Sequence, residues 1–373
     1  MKILYIQHEM LVWNSAKQWS YTTHLAYVDG LRAQGHDVQV LLTSLWPWAR
    51  QMVGHQTYDQ VWINDVLHSI GNRPAWESAH RFNEADFAWF ATLAPVRVGI
   101  VMETLQYDPA DYEEVPELLG RVPLLKATVL PHITHLCVVD DIDVKFIEAM
   151  DVPAVWTPAH VPQRFFRNPQ PRPDLPASFI GSAYARRQKY LHCAALNGLL
   201  EFRKSGEHST TLPVMYEQLN LELRIPMLAQ PFRQDDADNF QATVHQVRES
   251  LFSCFLDGLT GAMASVNLPS YVKTYGGRVI ESMVIGQPVV SWRIPNRPGT
   301  AQLFGEGETI LLFDNDSPEL LAEQLQRLRN DAGLCYGLAI RAQANARKHH
   351  TTEHRVGQVL EFIRSGRTPV FWD

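Results

Sequence analysis

Residue types between Ser265 and Ser291 could bind a phosphorylated ligand. A polar loop in this segment ends in Gly276-Gly277 and introduces a predicted helix with Arg278 in its first turn. Uncovered glycine amides at a helix N-terminus favour an anion, and a guanidinium group can hold two phosphate oxygens. Glu281 follows one turn later on the same face, where a carboxylate can accept hydrogen bonds from a ribose diol. A nucleotide diphosphate requires such a pattern, although an ordinary helix–strand crossover with surface Arg and Glu would show the same spacing.

A second group of residues could face the same phosphates from the opposite wall of a pocket. Gly181 and Ser182 end another predicted strand, and Arg187 follows where a helix should begin. Its neighbours Arg186 and Lys189 are also basic. Because clusters of charge usually face water, a solvated helix face is the alternative interpretation.

Candidates for a catalytic base lie in the first half of the chain. Glu103 follows the predicted strand Val96–Val101 and should project from the carboxyl edge of a parallel sheet. The loop after the first predicted strand opens at the same edge and contains His8, Glu9, Asn14 and Trp19. A carboxylate or an imidazole there could take a proton from an acceptor hydroxyl. Glu103 could equally cap a helix or form a salt bridge.

Three patterns could suggest a bound metal, and each has a simpler explanation. His350-x-x-Glu353-His354 has the inverted zinc-protease spacing, but few acidic residues follow it. Asp140-Asp141-x-Asp143 and Asp235-Asp236-x-Asp238 are expected at turns and helix caps. The four cysteines have no close partner, which excludes a zinc ribbon, a CxxC redox motif and a secreted disulfide framework. We expect no metal site and no cofactor.

The elements that must position these residues alternate as strand and helix. The predicted strands of the first half are Lys2–Ile6, Val38–Leu42, Gln60–Ile63, Val96–Val101, Leu136–Val139 and Ala154–Trp156. Helical stretches between them include Thr22–Gln34, which Gly35 should end with a positive φ, and Trp76–Leu93. A parallel sheet with helices on both faces is the packing solution for this pattern.

The chain becomes rich in proline between Pro158 and Pro176, which predicts an extended connection. The strand–helix rhythm then restarts with Ala177–Gly181, Val266–Leu268, Pro288–Ser291 and Thr309–Phe313 as predicted strands. Ser317 and Pro318 should begin a helix, and a last helix over Leu334–Arg364 should break near His349-His350. We therefore predict an α/β fold with two Rossmann-like, doubly wound parallel-sheet domains that face a cleft.

The segment Ser265–Ser291 resembles the donor-binding motif of glycosyltransferases of the group 1 type with the GT-B fold, and within them the subgroup similar to the spore-maturation protein CgeB. That motif reads roughly R-x-F-E-A-x-A-x-G-x-P-V-V, and this chain has Arg278, Glu281, Gly286 and Pro288-Val289-Val290 at its places. Further stretches are similar to family motifs: Phe179–Ser182 with Arg187, Pro295–Asp331 and His350–Arg355. The resemblance covers Ala177 to about Ile363, whereas the first 160 residues match by pattern only.

The resemblance implies that the helix N-terminus at Gly277 binds the pyrophosphate of a donor and that Glu281 binds its ribose. The implied donor-binding set is Gly181, Ser182, Arg187, Lys273, Tyr275, Gly276, Gly277, Arg278, Val279 and Glu281. Glu103 and Arg278 are the expected catalytic residues, with the acceptor near His8, Glu9, Asn14 and Trp19. Many retaining relatives carry a glutamate where this chain has Lys273, so the stereochemical outcome stays open.

The implied activity is metal-independent transfer of a sugar from a nucleotide-diphosphate donor to an acceptor hydroxyl or other nucleophile. Residues 1–160 would bind the acceptor, 161–176 would link, 177–355 would bind the nucleotide-sugar, and 356–373 would pack back on the first domain. The acceptor could be a glycan, a lipid, a protein or a small molecule. The alternatives are a GT-B-fold sugar-nucleotide epimerase or phosphorylase, and a nucleotide- or glycan-binding protein without turnover.

Composition excludes several other classes of protein. The 373-residue chain is 46% hydrophobic and 20% charged, which is a composition for buried cores and not for a disordered chain. Its net charge of −7 argues against a nucleic-acid partner, which would require a basic surface. No apolar run is long enough to cross a bilayer and no signal peptide is visible. We expect a soluble, cytoplasmic protein without an integral membrane segment.

Overall fold

The computed structural model contains two parallel β-sheets, one in each half of the chain. It describes residues 1–8, 26–70, 80–181, 185–204, 219–314 and 316–371. The sheet of the N-terminal half has six strands: β1 (Lys2–Gln7), β2 (Asp37–Leu42), β3 (Gln60–Ile63), β4 (Val96–Ile100), β5 (His135–Val138) and β6 (Ala154–Trp156). The sheet of the C-terminal half has five: β7 (Ala177–Gly181), β8 (Leu200–Lys204), β9 (Ser265–Asn267), β10 (Val289–Trp292) and β11 (Leu311–Phe313).

Helices connect these strands. The α-helices of the N-terminal half are α1 (Ala26–Ala33), α2 (Ala49–Val53), α3 (Glu84–Leu93), α4 (Pro109–Glu114), α5 (Arg121–Thr128) and α6 (Asp143–Glu148). Those that follow are α7 (Gln188–Leu191), α8 (Ile225–Leu228), α9 (Gln234–Leu259), α10 (Gly277–Val284), α11 (Pro298–Gln302), α12 (Pro318–Asn330), α13 (Ala332–His349) and α14 (Thr352–Ser365). No described helix is both long and apolar enough to pass through a lipid bilayer.

In each sheet, the side on which successive strands are added changes once. The N-terminal sheet has the order β2-β1-β3-β4-β5-β6 and the C-terminal sheet the order β11-β10-β9-β7-β8. The chain therefore leaves β1 to one side and returns to β3 on the other, and it does the same around β7 and β9. A crevice forms at the carboxyl ends of the strands at such a reversal, where ligands of doubly wound folds bind.

Both faces of the N-terminal sheet are buried, as two helical layers require. Along β1, Ile3 and Tyr5 pack in one hydrophobic cluster, while Leu4 and Ile6 pack in another on the opposite face. The predicted fold class, two doubly wound parallel sheets of Rossmann type, is confirmed.

Most predicted elements are present. Strand β8 and several helices, of which the 26-residue α9 is the longest, were not predicted, and α3 begins at Glu84, whereas the predicted helix began at Trp76. Asn83 caps this helix, because its side chain accepts a hydrogen bond from the amide of Asp86 at 3.1 Å. Residues 71–79 and 9–25, which contain the predicted beginnings of α3 and α1, lie outside the described residues.

The caps and breaks predicted from single residues are confirmed. Gly35 has a φ of +78° and Gly286, after α10, a φ of +72°. The side chain of Ser317 accepts a hydrogen bond from the amide of Leu320 at the beginning of α12. The last helical region is interrupted between His349 and Thr352.

Helix α9 belongs to the hydrophobic cores of both halves. Its first turns place Phe240 and Val244 in the core under the N-terminal sheet, whereas Phe252 and Leu256 lie in the core of the C-terminal half. A helix of 26 residues is about 39 Å long, enough to span both. It therefore braces the two halves against each other.

The chain crosses between the halves at two places that lie side by side. The amide of Val161 donates to the carbonyl of His350 at 3.2 Å, and the amide of Thr352 donates to the carbonyl of Val161 at 3.0 Å. After the second crossing, α14 packs on α1, and Val356 and Val359 join the hydrophobic cluster on that face of the N-terminal sheet. The two crossing segments are therefore joined by a parallel β-bridge between Val161 and Thr351.

Replacing Gly30 tests the packing of α14 on α1. A Cβ atom at Gly30 would lie 2.7 Å from the Cβ of Val356. We expect Gly30→Ala to lower the free energy of unfolding by about 1–3 kcal/mol through overpacking, measured by urea denaturation. Gly120→Ala is the control, since its φ of −81° suits alanine and nothing lies within 4 Å of the added atom. Equal stability of the two variants would contradict the observed packing.

Candidate functional site

The strongest candidate site lies at the reversal point of the C-terminal sheet. Gly181 ends β7, and the loop after β9 leads to Gly276, the N-cap of α10. Gly276, Gly277 and Arg278 remain partly exposed, so the amides at the beginning of this helix face a surface that solvent can reach. The dipole of this eight-residue helix favours an anion at its N-terminus.

Two arginines meet at the carboxyl end of β7. The guanidinium carbon of Arg278 lies 4.9 Å from the centre of the Phe179 ring, and that of Arg187 lies 5.3 Å from it. Arg187 also donates from Nε to the carbonyl of Pro269 at 3.1 Å. A Cβ at Gly181 would lie only 2.6 Å from Nη2 of Arg278, so a larger residue there would displace this guanidinium group. The structure thus brings together Arg187 and Arg278, which are 91 positions apart in the sequence.

Glu281 lies on α10 one turn after Arg278 and is 1% exposed. A carboxylate can accept hydrogen bonds from hydroxyl groups, which is the role that the sequence predicted for Glu281. The side chains of Tyr275 and Val279, which the sequence also assigned to the site, pack in the hydrophobic core of the C-terminal half, and Tyr275 also lines a cavity beside Gly276 and Gly277. The ring of Tyr275 lies 5.2 Å from that of Phe304.

Lys273 bridges the two halves of the protein. Its ammonium group contacts Asp108 at 2.7 Å and forms an ion pair with Asp111, both in the N-terminal half. Its amide donates to Oγ1 of Thr104 at 3.0 Å. The side chain is 1% exposed, so this contact is an internal one.

The space between the halves is narrow beside the beginning of α10. A cavity of about 70 Å³ there is lined by Gly276 and Gly277 on one side and by Met102, Val139 and Thr157 on the other. Pockets for drug-sized ligands measure roughly 300–1,000 Å³. A larger cavity of about 760 Å³ lies between β2 and α9, lined by other residues. A nucleotide bound at Gly277 with the halves in this arrangement must therefore extend along the exposed side of the gap.

Polar side chains also gather at the reversal point of the N-terminal sheet. Asn64, which follows β3, donates to Oε1 of Gln7 at the end of β1 over 3.3 Å. His8 is buried beside them. Glu9, Asn14 and Trp19, which the sequence placed on the acceptor side, and Ser182 on the donor side, lie outside the described residues.

Glu103 is held in a chain of charged groups. One carboxylate oxygen pairs with Arg121, and the other lies 3.3 Å from Nε2 of His68, whose Nδ1 lies 2.7 Å from Asp65. Burial alone would raise the pKa of Glu103, but His68 and Arg121 lower it to about 2. Burial alone would lower the pKa of His68, but Asp65 and Glu103 raise it to about 9. Glu103 is thus ionised at neutral pH and a weak base, as the salt-bridge interpretation of the sequence allowed.

The acidic motif after β5 is occupied by protein contacts. Asp140 pairs with Arg297 at 2.7 Å, and Asp143 accepts from the amide of Leu105 at 2.8 Å. Asp141 accepts from the amide of Gly299 at 2.5 Å at the beginning of α11. His350 lies in the break before α14 and is buried against Arg355, which donates to its Nδ1 at 2.9 Å. Across the described ranges, no three His, Cys, Asp or Glu side chains converge as a metal site would need.

Comparison with known proteins adds a family match in the same region. The family model described as "Glycosyl transferase-like" matches residues 258–361, which include β9, α10 and β10. No curated protein sequence matches the chain.

Solved structures match almost the whole chain. Sucrose-phosphate synthase from Thermosynechococcus elongatus has a TM-score of 0.60 at 14% identity, over 98% of both chains. HepE from Anabaena, in a complex with UDP and glucose, has a TM-score of 0.56 at 12% identity, over 98% of this chain and 100% of that one. TarM of S. aureus has a TM-score of 0.52 at 13% identity, over 87% of this chain and 58% of its own. The chain has the GT-B fold.

The charged chain around His68 predicts how stability changes with pH. A raised pKa stabilises the fold below pH 6.5, and this contribution disappears as the pH rises towards 9. We therefore expect wild type to lose more stability than His68→Gln between pH 6.5 and pH 9 in denaturant titrations. His55→Gln, at an exposed histidine, should follow wild type. Parallel pH curves for wild type and His68→Gln would exclude the charged pairing.

Proposed function

We propose that this protein is a glycosyltransferase that moves a sugar from a nucleotide-diphosphate donor to an acceptor. The observation that carries the proposal is the convergence of Arg278, Arg187 and the beginning of α10 at the carboxyl ends of β7 and β9. The match of residues 258–361 to a glycosyl transferase-like family supports it.

The proposed chemistry depends on charge that develops on the leaving group. As the bond from the anomeric carbon to the diphosphate breaks, negative charge accumulates on the diphosphate oxygens. The guanidinium groups of Arg278 and Arg187 and the amide of Gly277 are fixed donors for this charge, and such preorganised donors lower the barrier. Since protein cations serve this purpose, the proposed reaction needs no metal ion.

The donor we propose to test first is UDP-glucose. HepE from Anabaena, whose fold is similar, was solved with UDP-glucose. In this chain Glu281 would accept hydrogen bonds from the ribose of the donor. The acceptor would bind at the N-terminal half, near His8, and we assign the protein to the CgeB-like subgroup.

A nucleotide-binding protein without turnover is the second candidate. It is favoured by the low pKa of Glu103, because a carboxylate with a pKa of about 2 accepts a proton poorly at neutral pH. The two candidates share the diphosphate site and differ in catalysis, so binding and turnover must be measured separately.

Glu281→Ala tests the proposed contact with the ribose by a binding measurement. We expect its affinity for UDP, or for whichever of UDP, GDP, ADP and dTDP binds wild type best, to fall about tenfold or more, because a charged acceptor of the ribose hydroxyls is lost. Isothermal titration calorimetry measures the change. Glu323→Ala, at an exposed glutamate of α12, is the control. Equal affinities of the two variants would remove Glu281 from the site.

Arg278→Gln tests turnover. We expect kcat for release of UDP from UDP-glucose to fall about 100-fold, because a donor aimed at the developing charge is lost. EDTA should leave the wild-type rate unchanged, and loss of activity in EDTA would contradict metal independence.

Glu103→Gln separates the two interpretations of Glu103. Loss of transfer with normal donor binding would identify Glu103 as the base, whereas normal transfer would leave it as a residue that pairs with Arg121 and His68.

A further inference from the structure

Asp111 occupies an unusual position between the two halves. It lies on α4 in the N-terminal half and is fully buried. Its carboxylate accepts from the amide of Asp108 at 2.9 Å, pairs with the ammonium group of Lys273, and contacts Nη2 of Arg186 at 2.8 Å. Both cations come from the C-terminal half, so one carboxylate joins two of its loops.

These two loops are the walls of the candidate site. Arg186 precedes Arg187, which contacts the ring of Phe179. Lys273 lies three residues before Gly276, the N-cap of α10. A displacement of Arg186 would therefore also move Arg187, and a displacement of Lys273 would move the beginning of α10, because the connecting backbone is short in both cases.

Neighbouring contacts also attach the loop before α10, which contains Lys273 and Thr274, to the N-terminal half. The amide of Lys273 donates to Thr104, and Oγ1 of Thr274 donates to the carbonyl of Val139 at 2.9 Å. Thr104 in turn donates to Asp140 at 2.8 Å, which pairs with Arg297. The loop before α10 thus has its position set by the N-terminal half, and separation of the halves would release it.

We infer that Asp111 is a positioning residue that completes the diphosphate site only when the two halves are closed, by holding Lys273 and Arg186 at a fixed separation. The inference rests on the proposed function, because it assigns the site to a nucleotide diphosphate. It also assigns Lys273 to closure and not to direct contact with the donor. Closure and donor binding are then coupled, so each stabilises the other.

Measurements of nucleotide affinity distinguish a role of Lys273 in closure from direct contact of Lys273 with the donor. Asp111→Asn and Lys273→Met should each weaken binding of UDP, or of the best of GDP, ADP and dTDP, at least about fivefold. The double variant should lose less affinity than the sum of the two single losses, since both substitutions remove the Asp111–Lys273 pair. If Lys273 contacted the donor itself, Asp111→Asn would free it and leave the affinity equal or higher, which would overturn the inference. Asp174→Asn, at an exposed pair with Arg172, is the control.

Hydrogen exchange without any nucleotide supplies the second readout. In Asp111→Asn the amides of Lys273 and Thr274 should exchange about tenfold faster, while those of β9 stay protected. Arg186→Gln, at a partly exposed residue, should show a smaller effect of the same sign and replaces Asp111→Asn if that variant does not fold. If Asp111→Asn shows unchanged hydrogen exchange and normal nucleotide affinity, the positioning role is overturned and the proposed function is not. Absence of nucleotide binding by wild type overturns the proposed function and the positioning role with it.

Discussion

Positive charge concentrated at the carboxyl ends of β7 and β9 is the constraint on which the rest of the structure depends. Arg278 and Arg187 repel each other, yet both lie against one ring, that of Phe179, whose π-face attracts cations. Gly181 leaves space for this contact, and the N-terminus of α10 adds its dipole to the same region.

Negative charge in the N-terminal half pairs with positive charge in the C-terminal half where the two halves meet. Asp111 and Asp140 are buried carboxylates of the N-terminal half, and they pair with Lys273 and Arg297 of the C-terminal half. Buried ion pairs are costly to break, because removal of one partner leaves a charge without solvent. Helix α9 adds apolar packing, and the two crossing segments add backbone hydrogen bonds. The strand ends that carry the candidate site therefore lie beside the contacts that hold the two halves together.

The sequence predicted the elements that have strong local signals. Buried strands such as β1 and the caps at Gly35 and Ser317 follow from apolar runs and single residues, and the Gly276-Gly277 turn correctly marks the beginning of α10. Strand β8 was missed because it is an edge strand whose only signal is the alternation of Leu200 and Phe202 with charged residues. The partners of Glu103, Lys273 and Asp140 could not be predicted, since each ion pair joins residues distant in sequence. A D-P-x-D cap at Asp108 was the one local sign that Asp111 is held in place.

A crystal structure with a bound nucleoside diphosphate, UDP first, tests the central claim most directly. The account predicts both phosphoryl groups within hydrogen-bonding distance of the Gly277 amide and of the Arg278 guanidinium group, with the ribose hydroxyls at Glu281. Phosphates found elsewhere, for instance in the larger cavity between β2 and α9, would contradict it.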